Sequence, residues 1–301
     1  MHAWMREQLI GLSVKSWDEL MRAITLGANM VEIKFEKFAE NGTSFYVYRR
    51  NGRFYPDRKN LGRLTSIAEE NNISIQSHLP IERCVDVNQE TGINVGFLSH
   101  HEPALRRFVM LEEIYRERGI FSVNTVHPPT ISFDGRQILG IDEALENARI
   151  FFEKLDVIRL REKHQTLIGV ENQTSPKFMA ACLGDHSDHF KKMLRNTRTI
   201  GTTIDSGHRL LAEHFTVTEL LGFSLPPVNF HFHGNAGEFR LQDFDDDQHM
   251  LPTQENVKGY DNYIRYFCRH RTPIVLELSH LEQYSNKELI DFIANLKRET
   301  E

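Results

Sequence analysis

The stretch IGTTIDSGH, residues 200–208, contains the pattern from which the architecture can be worked out. Its first part is apolar and β-branched, which is typical of a buried strand. The strand pattern ends on Asp205, His208 follows three positions later, and Gly207 permits a sharp turn between them. A carboxylate at this place can bind a metal ion or open the next helix, and the D-x-x-H spacing alone fits both.

Five other strand-like stretches end in the same way, on a histidine or a carboxylate. They are ISIQS before His78, FSVNTV before His127, LIGV before Glu171, VNF before His231 and PIVL before Glu277. In a barrel of parallel strands, the ends of different strands meet on one face, where active sites are built. Histidine nitrogens and carboxylate oxygens are ligands for zinc, manganese and iron. These patterns predict a metalloenzyme.

Extended and helical patterns alternate along the chain, which indicates a parallel sheet with crossover helices. We therefore predict a (β/α)8 TIM barrel that forms a single domain over residues 1–301, a usual barrel length. The predicted strands lie at 9–14, 30–35, 73–78, 121–127, 166–172, 199–205, 227–233 and 272–279. The main predicted helices lie at 16–27, 60–71, 103–118, 141–163, 176–195, 258–269 and 285–299. The long stretch 79–102 is expected to cover the mouth of the barrel.

Composition indicates an ordinary soluble protein, with 40% hydrophobic and 26% charged residues. No apolar run approaches the roughly 18 residues that cross a membrane, and the N-terminal sequence lacks the apolar core of a signal peptide. The three cysteines, Cys84, Cys182 and Cys268, share no motif spacing, so we expect a reduced, cytoplasmic location. The net charge of −6 offers no general attraction for polyanions and makes a DNA partner the less favoured expectation.

Two glutamates occupy equivalent places at the ends of apolar strands. Glu171 follows LIGV and Glu277 follows PIVL, and a buried carboxylate there must be paired or bound to a metal. An ordinary salt bridge at a strand end is the structural alternative for each. Two such glutamates on different strands suit metal bridging or acid–base chemistry.

The histidines are individually more ambiguous. His231 and His233 alternate with phenylalanines, so both point to the same side of their strand, which is the interior of a barrel. His78 and His127 could each be a hydrogen-bonded strand-end histidine. Asp247 and His249, one residue apart, could supply two ligands from one loop or could simply be polar surface groups. His233 and Asn172 are expected to contact substrate or to support the ligands.

The ordered set of candidate ligands resembles the xylose isomerase-like TIM barrels, a superfamily that includes sugar isomerases, sugar epimerases and the endonuclease IV branch. The resemblance covers nearly the whole chain and rests on the order and local spacing of the ligands. Members bind one to three divalent ions at the C-terminal mouth of a (β/α)8 barrel. The set comprises His78, His127, Glu171, Asp205, His208, His231, Asp247, His249 and Glu277.

For the isomerase and epimerase branches, the resemblance implies a single metal ion. It would be held by Glu171, Asp205, His231 and Glu277. The same two glutamates would move protons at neighbouring sugar carbons, and His208 would contact the substrate. Glu171, Glu277 and His208 are therefore the candidate catalytic residues.

For the endonuclease IV branch, the resemblance implies three zinc ions. His78 and His127 would hold the first ion, and Glu171 would bridge it to the second. The second ion would be held by Asp205, His231 and Glu277, and the third by His208, Asp247 and His249.

The sequence departs from the nuclease branch at several places. His78 is followed by Leu79 and Pro80 instead of an aromatic-containing loop, and the motif around Asp205 lacks the cysteine expected there. His233 stands where the nucleases usually have asparagine. These departures favour the isomerase-like form.

Three functional hypotheses follow. The favoured one is a metal-dependent isomerase or epimerase of a sugar or sugar phosphate, and the alternative is a multi-zinc phosphoesterase acting on abasic-site DNA or a small phosphoester. The third is a barrel that binds metal or sugar without turnover. Histidine-rich ligation favours zinc, while manganese, iron and cobalt accept the same groups. The sequence leaves the oligomeric state open.

Overall fold

A closed barrel of eight parallel strands forms the centre of the computed structural model. The structure describes residues 8–34, 47–50, 53–79, 93–133, 136–173, 180–211, 227–235, 248–257 and 259–300. Each barrel strand pairs with the preceding and the following one, and the last closes onto the first. This confirms the predicted (β/α)8 architecture. The barrel strands are β1 (Ile10–Val14), β2 (Met30–Lys34), β3 (Ser74–Leu79), β4 (Val123–Val126), β5 (Leu167–Glu171), β6 (Ile200–Asp205), β7 (Asn229–Phe232) and β8 (Ile274–Leu276).

Helices alternate with these strands, in the order that the sequence pattern predicts. Within the described ranges they are α1 (Trp17–Thr25), α2 (Arg58–Asn71), α3 (His101–Arg118), α4 (Ile141–Glu162), α5 (Ser187–Met193), α6 (Ser206–Leu211), α7 (Tyr260–His270) and α8 (Asn286–Thr300). None of these helices combines the length and the apolar character needed to cross a bilayer.

The first strand and helix show how local sequence sets the element boundaries. Ile10, Leu12 and Val14 alternate along β1 and are completely buried in the apolar core. The side chain of Ser16 then caps α1 by accepting a hydrogen bond from the backbone N–H of Glu19 at 3.1 Å. After α1, Gly27 takes a φ of 84°, a left-handed conformation that suits glycine and stops the helix.

The prediction of a helix at 176–195 is wrong for residues 180–182, where the described part of this segment begins. Ala180–Cys182 is a strand that pairs antiparallel with Thr130–Phe133, and the helix is confined to Ser187–Met193. The strand partner comes from a segment some fifty residues earlier, and such tertiary pairing overrides local helical preference. A short hairpin of Val47–Arg50 and Arg53–Pro56 was also not predicted. Most of the expected mouth-covering stretch, residues 80–92, lies outside the described residues.

A layer of polar side chains lies inside the barrel. The amide Nδ2 of Asn229 donates to Glu32 Oε2 at 2.9 Å and lies 3.0 Å from Thr125 Oγ1. The hydroxyl of Thr125 is in turn 3.2 Å from that of Thr203. Because these contacts join strands that are not neighbours in the barrel, the four side chains must occupy its lumen. Thr203 and Asn229 each precede a candidate ligand by two residues, so this layer lies directly beneath the candidate site.

Candidate metal centre

The first group of candidate ligands gathers at the C-terminal ends of the strands. One ligand atom from each member lies within 4.8 Å of the others, and all four residues are buried. The group consists of His78 on β3, Glu171 on β5, His231 on β7 and Glu277 directly after β8. Residues separated by as many as 199 positions therefore lie in one cluster, as the barrel geometry requires.

Three carboxylates converge on a single nitrogen of His231. Its Nδ1 contacts Oε1 of Glu171 and lies 2.8 Å from Oε2 of Glu277. Oδ2 of Asp205 is 3.8 Å away from the same nitrogen. His231 and Asp205 are completely buried. This arrangement brings one imidazole nitrogen and three carboxylates to a common point, which is the ligand chemistry of a divalent metal site.

Two further histidines flank the other oxygen of Glu171. Nε2 of His127 lies 2.8 Å from Glu171 Oε2, and Nε2 of His78 lies 3.4 Å from it. The two imidazole rings are edge to face, with their centroids 4.8 Å apart. The amide of Gln173 donates to the same carboxylate oxygen at 3.2 Å. Glu171 therefore links His231 on one side to His78 and His127 on the other.

A second group of histidines lies beside the first. His208, His233 and His249 each offer a ring nitrogen within 4.8 Å of the others. The rings of His233 and His249 stack at a centroid distance of 4.0 Å. Nε2 of His233 is 2.8 Å from Oδ1 of Asp205, which connects the second group to the first. The structure brings His233 into this group in addition to His208 and His249, while Asp247 lies outside the described residues.

Backbone carbonyls fix the orientation of two of these rings. Nδ1 of His208 lies 2.9 Å from the carbonyl oxygen of Asn172, and Nδ1 of His249 lies 3.0 Å from that of Glu277. In the tautomer that donates these hydrogen bonds, Nε2 of each ring carries a lone pair for a ligand. The side chain of Asn172 is completely buried and binds the backbone of Asp205 through two hydrogen bonds, of 2.7 and 3.0 Å. Asn172 therefore supports the strand that carries Asp205.

The electrostatics of the site are set by buried carboxylates that face histidines. Burial raises the pKa of the Glu171 carboxyl, but attraction to His231 and His127 outweighs it and holds the pKa well below its usual value. The pKa of Asp205 is lowered by His208 and His233 in spite of its burial. Burial disfavours the charged form of His231, yet Glu32 and Glu171 raise its pKa to about 10. A cation that binds at Nδ1 must therefore displace a proton.

The donor set fits a divalent cation. Glu171 and Asp205 are fully buried, and within the described ranges their ion-pair partners are histidines, with no lysine or arginine. Buried carboxylates are costly unless a positive charge compensates them. A bound divalent ion would provide that charge, and the histidine and carboxylate atoms present are ligands that zinc accepts.

One buried residue of the site, Glu32, was missed by the sequence analysis. Its carboxylate lies 3.0 Å from Nε2 of His231, on the opposite side of the ring from Glu171. The candidate ligands predicted from the sequence lie at the ends of strands or in loops, whereas Glu32 lies in the middle of β2. The available signal was a charged residue at an inward position of the predicted strand MVEIKF, between apolar Val31 and Ile33.

The structure gives a different reason for glycine at position 207 than the sharp turn inferred from the sequence. Close packing against His233 leaves no room for a side chain there. Gly207 lies within α6 with its φ outside the left-handed region, and a Cβ there would be 2.0 Å from Cε1 of His233.

We expect Gly207→Ala to displace the His233 ring and to destabilise the fold by about 1–3 kcal/mol, measured by chemical denaturation. Gly62→Ala in α2 is the matched control, because a Cβ there is 4.0 Å from its nearest neighbour. Equal stability of the two variants would contradict this account.

Comparison with known proteins places the fold. No protein-family model and no curated protein matches the sequence. Among solved structures, a D-tagatose 3-epimerase-like protein is similar, with 17% identity, a TM-score of 0.69 and coverage of 97% of this chain and 99% of that one. The 3-keto-D-glucoside 4-epimerase YcjR from E. coli has 10% identity, a TM-score of 0.65 and coverage of 97% and 100%. The IOLI protein, solved with a bound zinc atom, has 12% identity, a TM-score of 0.65 and coverage of 97% of both chains.

These similarities establish the architecture of the chain. They extend over nearly its full length, and they confirm the TIM-barrel fold that the resemblance to the xylose isomerase-like proteins implied. At these levels of identity the shared fold says nothing by itself about the reaction. The reaction has to be argued from the site.

Proposed function

We propose that this chain is a divalent-metal-dependent epimerase or isomerase of a keto sugar or sugar phosphate. The observation that carries the proposal is the convergence of Glu171, Asp205 and Glu277 on Nδ1 of His231. Those four residues would hold the ion. A bound divalent ion supplies Lewis-acid polarisation of a substrate carbonyl.

The names of the similar structures support this chemistry. Tagatose 3-epimerase and 3-keto-glucoside 4-epimerase activities both invert a carbon next to a carbonyl group. A hydrogen on such a carbon is unusually acidic, so the reaction can proceed by removing and returning a proton. The zinc atom in the IOLI structure supports the choice of zinc, which the histidine-rich donor set also favours.

Glu171 and Glu277 are suited to the two proton transfers. One ligand oxygen of each lies in a cluster whose members are within 4.8 Å of one another. One carboxylate would accept the proton from the carbon next to the carbonyl, and the other would return a proton on the opposite face. Because the pKa of Glu171 is held low by its histidine neighbours, it is ionised and ready to accept. The acidity of the substrate carbon must then supply much of the driving force.

His208 is the third residue that we assign to catalysis. Its Nδ1 is directed at the carbonyl oxygen of Asn172, which orients the ring and leaves Nε2 for other contacts. The side chain is only 9% exposed, so a hydrogen bond donated by a substrate hydroxyl to this Nε2 would be largely protected from water. His208 would thus orient the sugar relative to Glu171 and Glu277.

A second candidate function is phosphoester hydrolysis on several ions. The observation that favours it is the second group, His208, His233 and His249, adjacent to Asp205. Together with His78 and His127 near Glu171, this gives donors for more than one ion. Several bound ions would neutralise charge on a phosphoryl group.

A metal count and a substrate panel separate these functions. We expect about one divalent ion per purified chain, together with incorporation of solvent deuterium at the carbon next to the carbonyl of a ketose or ketose phosphate. Activity should vanish after chelation and return with added zinc, manganese or cobalt. Two or three ions with cleavage of an abasic-site duplex or a small phosphoester would instead support hydrolysis. Bound metal without turnover of either panel would support a non-catalytic barrel.

A further inference from the structure

Glu32 is a buried carboxylate inside the barrel whose contacts lead to the candidate metal centre. Its relative exposure is 0%, and β2 places it in the polar layer beneath the mouth. A carboxylate in this environment is costly unless hydrogen bonds and a positive charge compensate it. Its surroundings should therefore reveal why it is tolerated.

Three donors converge on a single oxygen of Glu32. Oε2 lies 2.9 Å from Nδ2 of Asn229, 3.3 Å from Oγ1 of Thr125 and 3.0 Å from Nε2 of His231. Asn229 and Thr125 are also within 3.0 Å of each other, so they brace the carboxylate from two strands. Within the part of the chain that the structure describes, Glu32 forms its ion pair with His231. This network fixes the position of the carboxylate relative to that ring.

The two ring nitrogens of His231 face opposite groups. Nε2 is directed at Glu32, and Nδ1 is directed at Glu171 and Glu277. A histidine that donates one N–H to a carboxylate presents the lone pair of its other nitrogen to a metal. The contact with Glu32 retains the proton on Nε2, so a cation that displaces the proton of Nδ1 would meet the lone pair of that nitrogen beside the carboxylates.

We propose that Glu32 is a positioning residue that holds His231 in the orientation and tautomer required to bind the ion. This inference rests on the proposed metal-dependent function and adds a residue to it. Glu32 acts through His231, and its negative charge increases the electron donation of the ring to the cation. Thr125 and Asn229 keep the carboxylate in place.

The test is metal affinity, measured on protein stripped with a chelator and titrated with Zn²⁺ and Co²⁺ in competition with an indicator. Glu32→Ala should weaken binding by about 10- to 100-fold and alter the visible absorption of bound Co²⁺, because the ring loses its acceptor. Glu32→Gln keeps an acceptor oxygen but no charge, so we expect a loss of about three- to tenfold with the Co²⁺ spectrum preserved. A merely structural role of Glu32 would not predict that glutamine preserves the Co²⁺ spectrum while alanine alters it.

Gln76→Leu is the matched control. Gln76 is completely buried and pairs in register with Glu32 on the neighbouring strand, so its replacement disturbs the same layer without removing the contact with His231. This variant should bind Co²⁺ within about twofold of the wild type, since no supporting contact of the ligands is lost.

The outcomes separate the inference from the function on which it rests. A wild-type chain that binds neither ion would overturn the proposed function. A wild-type chain that binds them, with Glu32 variants that bind within twofold of it, would overturn the role of Glu32 alone. If circular dichroism shows that Glu32→Ala is unfolded, Glu32→Gln alone is used. Binding by Glu32→Gln within twofold of the wild type would then overturn the role of Glu32.

Discussion

Replacing His231 with alanine is expected to remove the divalent ion and all measurable turnover together. Its Nδ1 is the atom on which Glu171, Asp205 and Glu277 converge, so no other described nitrogen can take its place in that arrangement. Loss of a supporting residue alone weakens metal binding by about 10- to 100-fold, and loss of a direct ligand should exceed that range. The measurement is metal content after dialysis, with epimerisation of the best substrate assayed on the same samples.

Two further variants make this result interpretable. Asp205→Ala removes a second member of the same arrangement and should have the same effect. His280→Ala is the control, because His280 is an exposed histidine paired with Glu282, and its loss should leave metal content unchanged. Wild-type metal content in both His231→Ala and Asp205→Ala would be incompatible with the proposed centre.

Replacing Glu171 or Glu277 with glutamine is expected to lower kcat for epimerisation by about 10²- to 10⁴-fold, the usual contribution of general acid–base catalysis. Glutamine preserves the shape of each side chain but cannot accept a proton from carbon. Because both glutamates also lie in the metal cluster, rates must be expressed per bound ion.

Isotope exchange in D2O reveals the separate role of each glutamate. If the two carboxylates serve opposite faces of the substrate, each single variant should still exchange the hydrogen of one epimer and should fail with the other. The preferred epimer should be reversed between Glu171→Gln and Glu277→Gln. Glu282→Gln, a change at an exposed site, is the control and should behave as the wild type. Exchange of both epimers in both variants would rule out this division of labour.

The barrel and the positions of most candidate ligands could be predicted because they depend on local patterns. A buried strand in a parallel barrel has a recognisable composition. Its C-terminal end must lie on the same face of the barrel as the C-terminal ends of the other strands. The positions of Glu171, Asp205 and His231 followed from that rule. Nothing in the rule identifies a residue such as Glu32, whose importance depends on contact with a strand 199 residues away.

The predictions that differ from the structure concern packing between segments that are distant in the sequence. Gly207 was read as a turn residue, whereas the ring of His233 is what excludes a side chain there. The stacking of His233 on His249 likewise depends on the path of a loop, which no periodic pattern encodes. Ala180–Cys182 was predicted as part of a helix because its partner strand lies far away in the sequence.

Asp205 lies between the two groups of candidate ligands and contacts both. Its carboxylate faces the ring of His233 in one group and that of His231 in the other, and it also accepts a hydrogen bond from the backbone N–H of His208 at 2.8 Å. An ion bound in either group would share this carboxylate with the other group. If both groups held ions, their occupancies would be linked thermodynamically, and whatever factor the first ion imposed on the affinity for a second, the second would impose on the first.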